Sequence, residues 1–111
     1  MAAPERGDLV WLGFSSQAGR EQAGRRPALV LSPRAYHQKT SYALVCPITS
    51  RIKGYPFEVV LPEGLAVQGA VLADQIKSID RHARQIEVAG RVPETVVLAV
   101  QQRVRALIGE A

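Results

Sequence analysis

Apolar residues in this chain come in short runs, and Pro, Gly or polar clusters interrupt them about every eight to fifteen residues, a spacing that suits short strands joined by loops. Asp8 to Phe14 reads as a first strand, Pro27 to Pro33 as a second bounded by prolines, and Tyr42 to Ile48 as a central strand with apolar side chains on both faces. Phe57 to Leu61, Gly69 to Ile76 and Arg84 to Ala89 bring the count to about six strands. The period then changes. After Pro93, the residues Val96, Val97, Val100, Val104, Leu107 and Ile108 recur at helical steps until Gly109, which predicts one C-terminal helix. The polar segment Ser15 to Arg25 cannot bury itself and is expected to be an exposed, mobile loop. Consecutive strands with short connections and one terminal helix predict a mostly β fold: a small, strongly bent antiparallel barrel of SH3-like type with the helix packed against it.

Composition narrows the picture. A length of 111 residues without repeat or linker fits a single domain, 1–111. Cys46 is the only cysteine, which excludes a disulfide, and with His37 and His82 as the only histidines a Cys/His zinc cage is excluded too. Apolar runs fall short of the roughly 20 residues a membrane helix needs, and the N-terminus has no apolar signal core, so the expectation is a soluble cytoplasmic protein. Fourteen Lys and Arg against ten Asp and Glu give +4, and the basic residues are mostly Arg, whose planar fork suits phosphate.

Three stretches combine residues able to carry chemistry. Gly19 to Pro27 is a glycine-bracketed loop ending in Arg25 and Arg26 as a strand begins; Arg26 at that rigid edge can meet a phosphate bidentately with Glu21 over the same spot. Pattern alone favours an ordinary solvated loop there. Pro47 to Phe57 breaks a buried strand into Thr49, Ser50, Arg51 and Lys53 before a glycine turn, either an anion-binding turn or, as the pattern favours, a hairpin whose hydroxyls cap backbone groups. In Leu72 to Asp80, Asp74, Gln75 and Lys77 interrupt an apolar strand: Gln75 can read a base edge, Lys77 can meet a phosphate and Asp74 can orient an arginine, or the three can protect an edge strand. His37, in a loop from Arg34 to Lys39, and His82, between Arg81 and Arg84, stand among polar residues and read as surface histidines, and Cys46 reads as core rather than nucleophile.

Gly7 to Trp11, Glu21 to Gly24 with Arg26 to Pro33, Lys53 to Leu61 and Leu72 to Ser78 together resemble the MazF/PemK family of toxin endoribonucleases, in order and over nearly the whole chain. The resemblance implies an SH3-like barrel of the CcdB/MazF type that forms a homodimer and cleaves single-stranded RNA without metal or other cofactor. It also implies inhibition by an antitoxin with an acidic C-terminal tail. The family's catalytic arginine falls on Arg26 and its threonine on Thr49. Arg25 stands where a histidine can occur, and Ser50 to Ile52 occupy a variable stretch, so both positions are expected to tune sequence preference.

On that reading the 2′-hydroxyl of RNA attacks its own phosphate, Arg26 and Thr49 stabilise the phosphorane, and Glu21 or solvent accepts the 2′-hydroxyl proton. Arg25, Lys53 and Lys77 are expected at phosphates, with Gln75 and the loop ends, including Ser50 and Asp74, along the RNA path. A rival from another class is a non-enzymatic gyrase poison resembling the CcdB toxins. Those end in a tryptophan-containing tail, whereas this chain has its single tryptophan at Trp11. A third reading, a barrel that binds nucleic acid without cutting it, requires Arg26 and Thr49 to lie far apart.

Overall fold

The computed structural model describes residues 3–13 and 24–109. Seven strands are formed: β1 (Asp8–Gly13), β2 (Arg25–Val30), β3 (Tyr42–Thr49), β4 (Glu58–Val60), β5 (Ala70–Leu72), β6 (Lys77–Asp80) and β7 (Ile86–Arg91). A short helix α1 (Arg34–Lys39) follows β2, a single 3-10 turn spans Ala73–Gln75, and α2 (Glu94–Leu107) closes the described chain. The antiparallel sheet runs β4-β5-β3-β2-β1-β7, with β6 on the first half of β3. Among the described residues it does not close, which corrects the barrel expectation while keeping the mostly β class. Closure needs a ladder between the end strands, but β4 is three residues long and its register is taken up by β5.

Alternation sorts the side chains onto two faces. Leu9 on β1, Leu29 on β2, Cys46 and Ile48 on β3 and Val71 on β5 face α2, where Val96, Val97 and Val100 complete the larger core. Val10, Leu12, Ala28, Val30, Ala43 and Val45 face the other way and meet Ile79 of β6 in a second core. Central β3 carries apolar residues on both faces, as its sequence predicts, but Tyr42 and Leu44 at its start are exposed. Helix α2 carries Glu94 in its first turn and Arg105 in its last, both favourable to the helix dipole, and Gly109 leaves it at φ 106°. Leu107 and Ile108 continue the apolar pattern but lie exposed.

Two expectations fail between β2 and β6. Arg34–Lys39 is helical rather than loop, and His37 is 1% exposed rather than on the surface. Its Nδ1 lies 2.7 Å from the Pro4 carbonyl, which can only accept, so Nδ1 donates there, and Nε2 shares a 2.6 Å hydrogen bond with the Ser32 hydroxyl. Ser32 Oγ in turn accepts the Leu44 N–H at 2.8 Å. His37 thereby ties the chain before β1 to the start of β3. His82 is exposed, as expected.

Candidate active site

The ladder between β2 and β3 pairs Val30 with Val45, Leu29 with Cys46 and Ala28 with Pro47. Continuing that register sets Arg26 opposite Thr49 on the same face. Pro27 has no N–H to donate to the Ile48 carbonyl that faces it in this register, so no pairing is formed beyond Ala28 and Pro47 and the strand ends part. Between them lies a groove of about 660 Å³ lined by Arg26, Thr49, Ser50 and Arg51, with Trp11 and Gln75 also on its walls. Two cationic forks and two hydroxyls thus share one open site.

Thr49 is held from behind. It pairs with Ala70 of β5, and Gly69, at φ 125°, lies so close that a Cβ there would sit 2.2 Å from the Thr49 carbonyl oxygen. Only glycine suits that conformation and that contact. The Thr49 hydroxyl oxygen accepts the Arg51 N–H at 3.0 Å, which leaves its own hydrogen available to a ligand in the groove.

Two smaller hollows extend the groove. One, of about 290 Å³, lies on the Arg26 side and is lined also by Lys77 and Arg84; the other, of about 170 Å³, lies beyond Thr49 and is lined by Arg51, Lys53, Tyr55 and Glu58. Gln75 lines all three spaces. The 3-10 turn puts it there, because it interrupts the strand expected over 69–76 and sets Asp74 and Gln75 outward before β6 begins. The result is a basic track from Lys77 past Arg26 to Lys53. Among the described residues, no group of three or more His, Cys, Asp or Glu is placed to hold a metal ion.

Several expected residues act otherwise. The Asp74 carboxylate accepts the Tyr55 hydroxyl at 3.2 and 3.3 Å. Partial burial, followed by that hydrogen bond and the charges of Asp74 and Glu58, pushes the Tyr55 phenol above its ordinary pKa. Arg25 lines none of the three spaces; it forms an ion pair with Glu87 and lies over the Trp11 ring, 5.3 Å from its centroid. Glu21 lies outside the described residues. Cys46 is fully buried, and burial first, with the Asp74 charge second, pushes its thiol up to about 12, which removes it as a nucleophile at neutral pH. Trp11, Tyr55 and Glu58 were not singled out from sequence. For Glu58 a signal existed, since a carboxylate interrupts the apolar run Phe57 to Leu61.

Comparison with known proteins agrees with this geometry. The family described as PemK-like, MazF-like toxin of type II toxin-antitoxin system matches residues 5–108. The endoribonuclease toxin MazF of Escherichia coli K12 is 46% identical over 106 residues, covering 96% of this chain and 95% of that protein. The endoribonuclease toxin ChpB of the same organism is 39% identical, covering 94% and 93%. The structure of a MazE-MazF complex from Deinococcus radiodurans matches with a TM-score of 0.87 at 46% identity over 97% of each chain. By its sequence and by its fold, the chain belongs to the PemK-like, MazF-like family of toxins of type II toxin-antitoxin systems.

Proposed function

We propose that this chain, as a single domain of residues 1–111, is an endoribonuclease toxin that cuts single-stranded RNA in the cytoplasm without a metal ion. The observation that carries the reading is the meeting of Arg26 and Thr49 in one groove where the β2–β3 ladder ends. The same meeting counts against passive binding, which required the two to be far apart. Endoribonuclease activity is what the related MazF, ChpB and PemK proteins are named for, and nothing in the fold favours the gyrase alternative.

In the proposed reaction the 2′-hydroxyl oxygen attacks the adjacent phosphorus, and the P–O5′ bond breaks. The products are a 2′,3′-cyclic phosphate and a 5′-hydroxyl. Arg26 donates two parallel N–H bonds to the non-bridging oxygens as their charge grows, and Thr49 adds a hydroxyl donor. A guanidinium is a poor base, so the 2′-hydroxyl proton goes to Glu21 or solvent, and solvent supplies the proton that the leaving O5′ takes up. Lys53 and Lys77, at opposite ends of the track, hold flanking phosphates, while Gln75 and Ser50 face the bases that a single strand exposes. Asp74 contributes through Tyr55. Arg25 reaches phosphate only by leaving Glu87.

The same basic track suits an acidic antitoxin segment, so inhibitor and RNA compete for one surface. The Deinococcus relative is seen with MazE, and a homodimer follows from the family resemblance. The test is incubation of single-stranded RNA in EDTA with the wild type and with Arg26→Ala. Discrete fragments bearing 5′-hydroxyl and 2′,3′-cyclic phosphate ends, from the wild type alone, are expected. Intact RNA across varied sequences would sink the reading.

A further inference from the structure

Glu58 is 8% exposed and takes no part in the chemistry proposed above. Its carboxylate turns toward the loop between β3 and β4. Oε1 accepts the N–H of Gly54 at 2.7 Å and of Lys53 at 3.0 Å, while Oε2 lies 3.1 Å from the Lys53 nitrogen. Its own N–H donates to the Tyr55 carbonyl at 3.1 Å, so one residue grips both ends of the turn 53–55. A second tie comes from α2, where Arg103 Nε donates to the Pro56 carbonyl at 2.8 Å. A third is the Tyr55 to Asp74 bond.

The surrounding loop is otherwise exposed from Ser50 to Gly54. Such a segment carries little apolar contact of its own and would sample many conformations without these ties. Charge-assisted bonds from a buried carboxylate are the strongest of the three, because the anion has few other partners and little water. They are made to the backbone of Lys53, which leaves the Lys53 ammonium free to face the hollow beside Thr49.

We infer that Glu58 is a positioning residue for substrate binding: it locks the 51–55 arm so that Arg51 and Lys53 stand at a fixed spacing from the Arg26 and Thr49 pair. The inference rests on the endoribonuclease reading and assigns Glu58 to binding, not to the chemical step. RNA entering the groove then meets a preset wall rather than ordering one, which lowers KM without changing the rate at saturation.

Glu58→Gln keeps the shape but offers an amide N–H₂ where Oε2 now faces the Lys53 N–H. In that variant KM for single-stranded RNA is expected to rise about tenfold while kcat changes less than about threefold. In a double-mutant cycle with Lys53→Ala the KM effects are expected to be non-additive, because much of the Glu58 effect passes through Lys53. Additive KM effects, or a fall in kcat at unchanged KM, would overturn the proposal. A readout that requires no variant is amide hydrogen exchange in the wild-type protein. The Lys53 and Gly54 amides should be protected well above the neighbouring exposed Ile52 amide; equal, fast exchange at all three would remove the latch even if the variants fail to fold. Absence of wild-type cleavage with those amides protected would instead count against the endoribonuclease reading alone.

Discussion

The two halves of β3 have the same backbone and opposite employment. From Tyr42 to Val45 one edge is laddered to β6 at every residue, and the other edge is closed by β2 at Val45 and by Leu31 and Ser32 at Leu44. At Ile48 and Thr49, β6 has turned away, β5 holds the edge it left, and the edge toward β2 has no pairing beyond Pro47 because Pro27 has no N–H to give the Ile48 carbonyl. Ending a ladder with proline frees two strand ends without leaving buried N–H donors unsatisfied. The closed half supplies rigidity, and the open half presents Arg26 and Thr49 on that rigid base, which is what electrostatic stabilisation of a transition state requires.

This contrast can be broken from either side. Arg26→Ala should have the largest effect, lowering the single-turnover rate by about a thousandfold, the scale of losing a preorganised donor, with an unchanged unfolding midpoint. Gly69→Ala attacks the support of Thr49: the added methyl meets the Thr49 carbonyl and the backbone sits at φ 125°, so a stability loss of about 3 kcal/mol together with a lower rate is expected by urea unfolding and cleavage assay. Val45→Ala, in the closed half, should cost about 2 kcal/mol and leave kcat within about twofold. A fall in kcat as large as that of Arg26→Ala would erase the distinction between the halves.

The smallest effect concerns pH. The Cys46 thiol is raised from 9.0 to about 12 by burial, so the unfolded chain loses this proton first as pH rises. Its contribution is intact below about pH 9 and is lost progressively between about 9 and 12. The thermal midpoint should fall more steeply over that window in the wild type than in Cys46→Ala, and a thiol reagent at pH 8 should label Cys46 only after unfolding.

Much of this was legible in the sequence, for identifiable reasons. β1, β2, β3, β7 and α2 announce themselves through period and punctuation, and Arg26 and Thr49 through motif. What stayed hidden depended on partners far along the chain. Nothing local to Arg34–Lys39 says that His37 will meet Pro4 and Ser32, so the helix and its buried imidazole were missed. The 3-10 turn Ala73–Gln75 interrupts an apolar run without a Gly or Pro, which merged β5 with the residues before β6. Arg25 looks like a phosphate ligand until Glu87 of β7 is brought beside it. The helix period continues to Leu107 and Ile108, yet both are exposed, which period alone does not foretell.

The central claim is that Arg26 and Thr49 act together on one phosphate because the β2–β3 ladder stops between them. It is tested most directly by single-turnover cleavage rates at saturating RNA for the wild type, Arg26→Ala, Thr49→Val and the double variant. Both single losses should be large, and the double variant should be much less impaired than their product, the signature of groups serving one transition state. Fully multiplicative losses, or a Thr49→Val rate equal to wild type, would contradict the account.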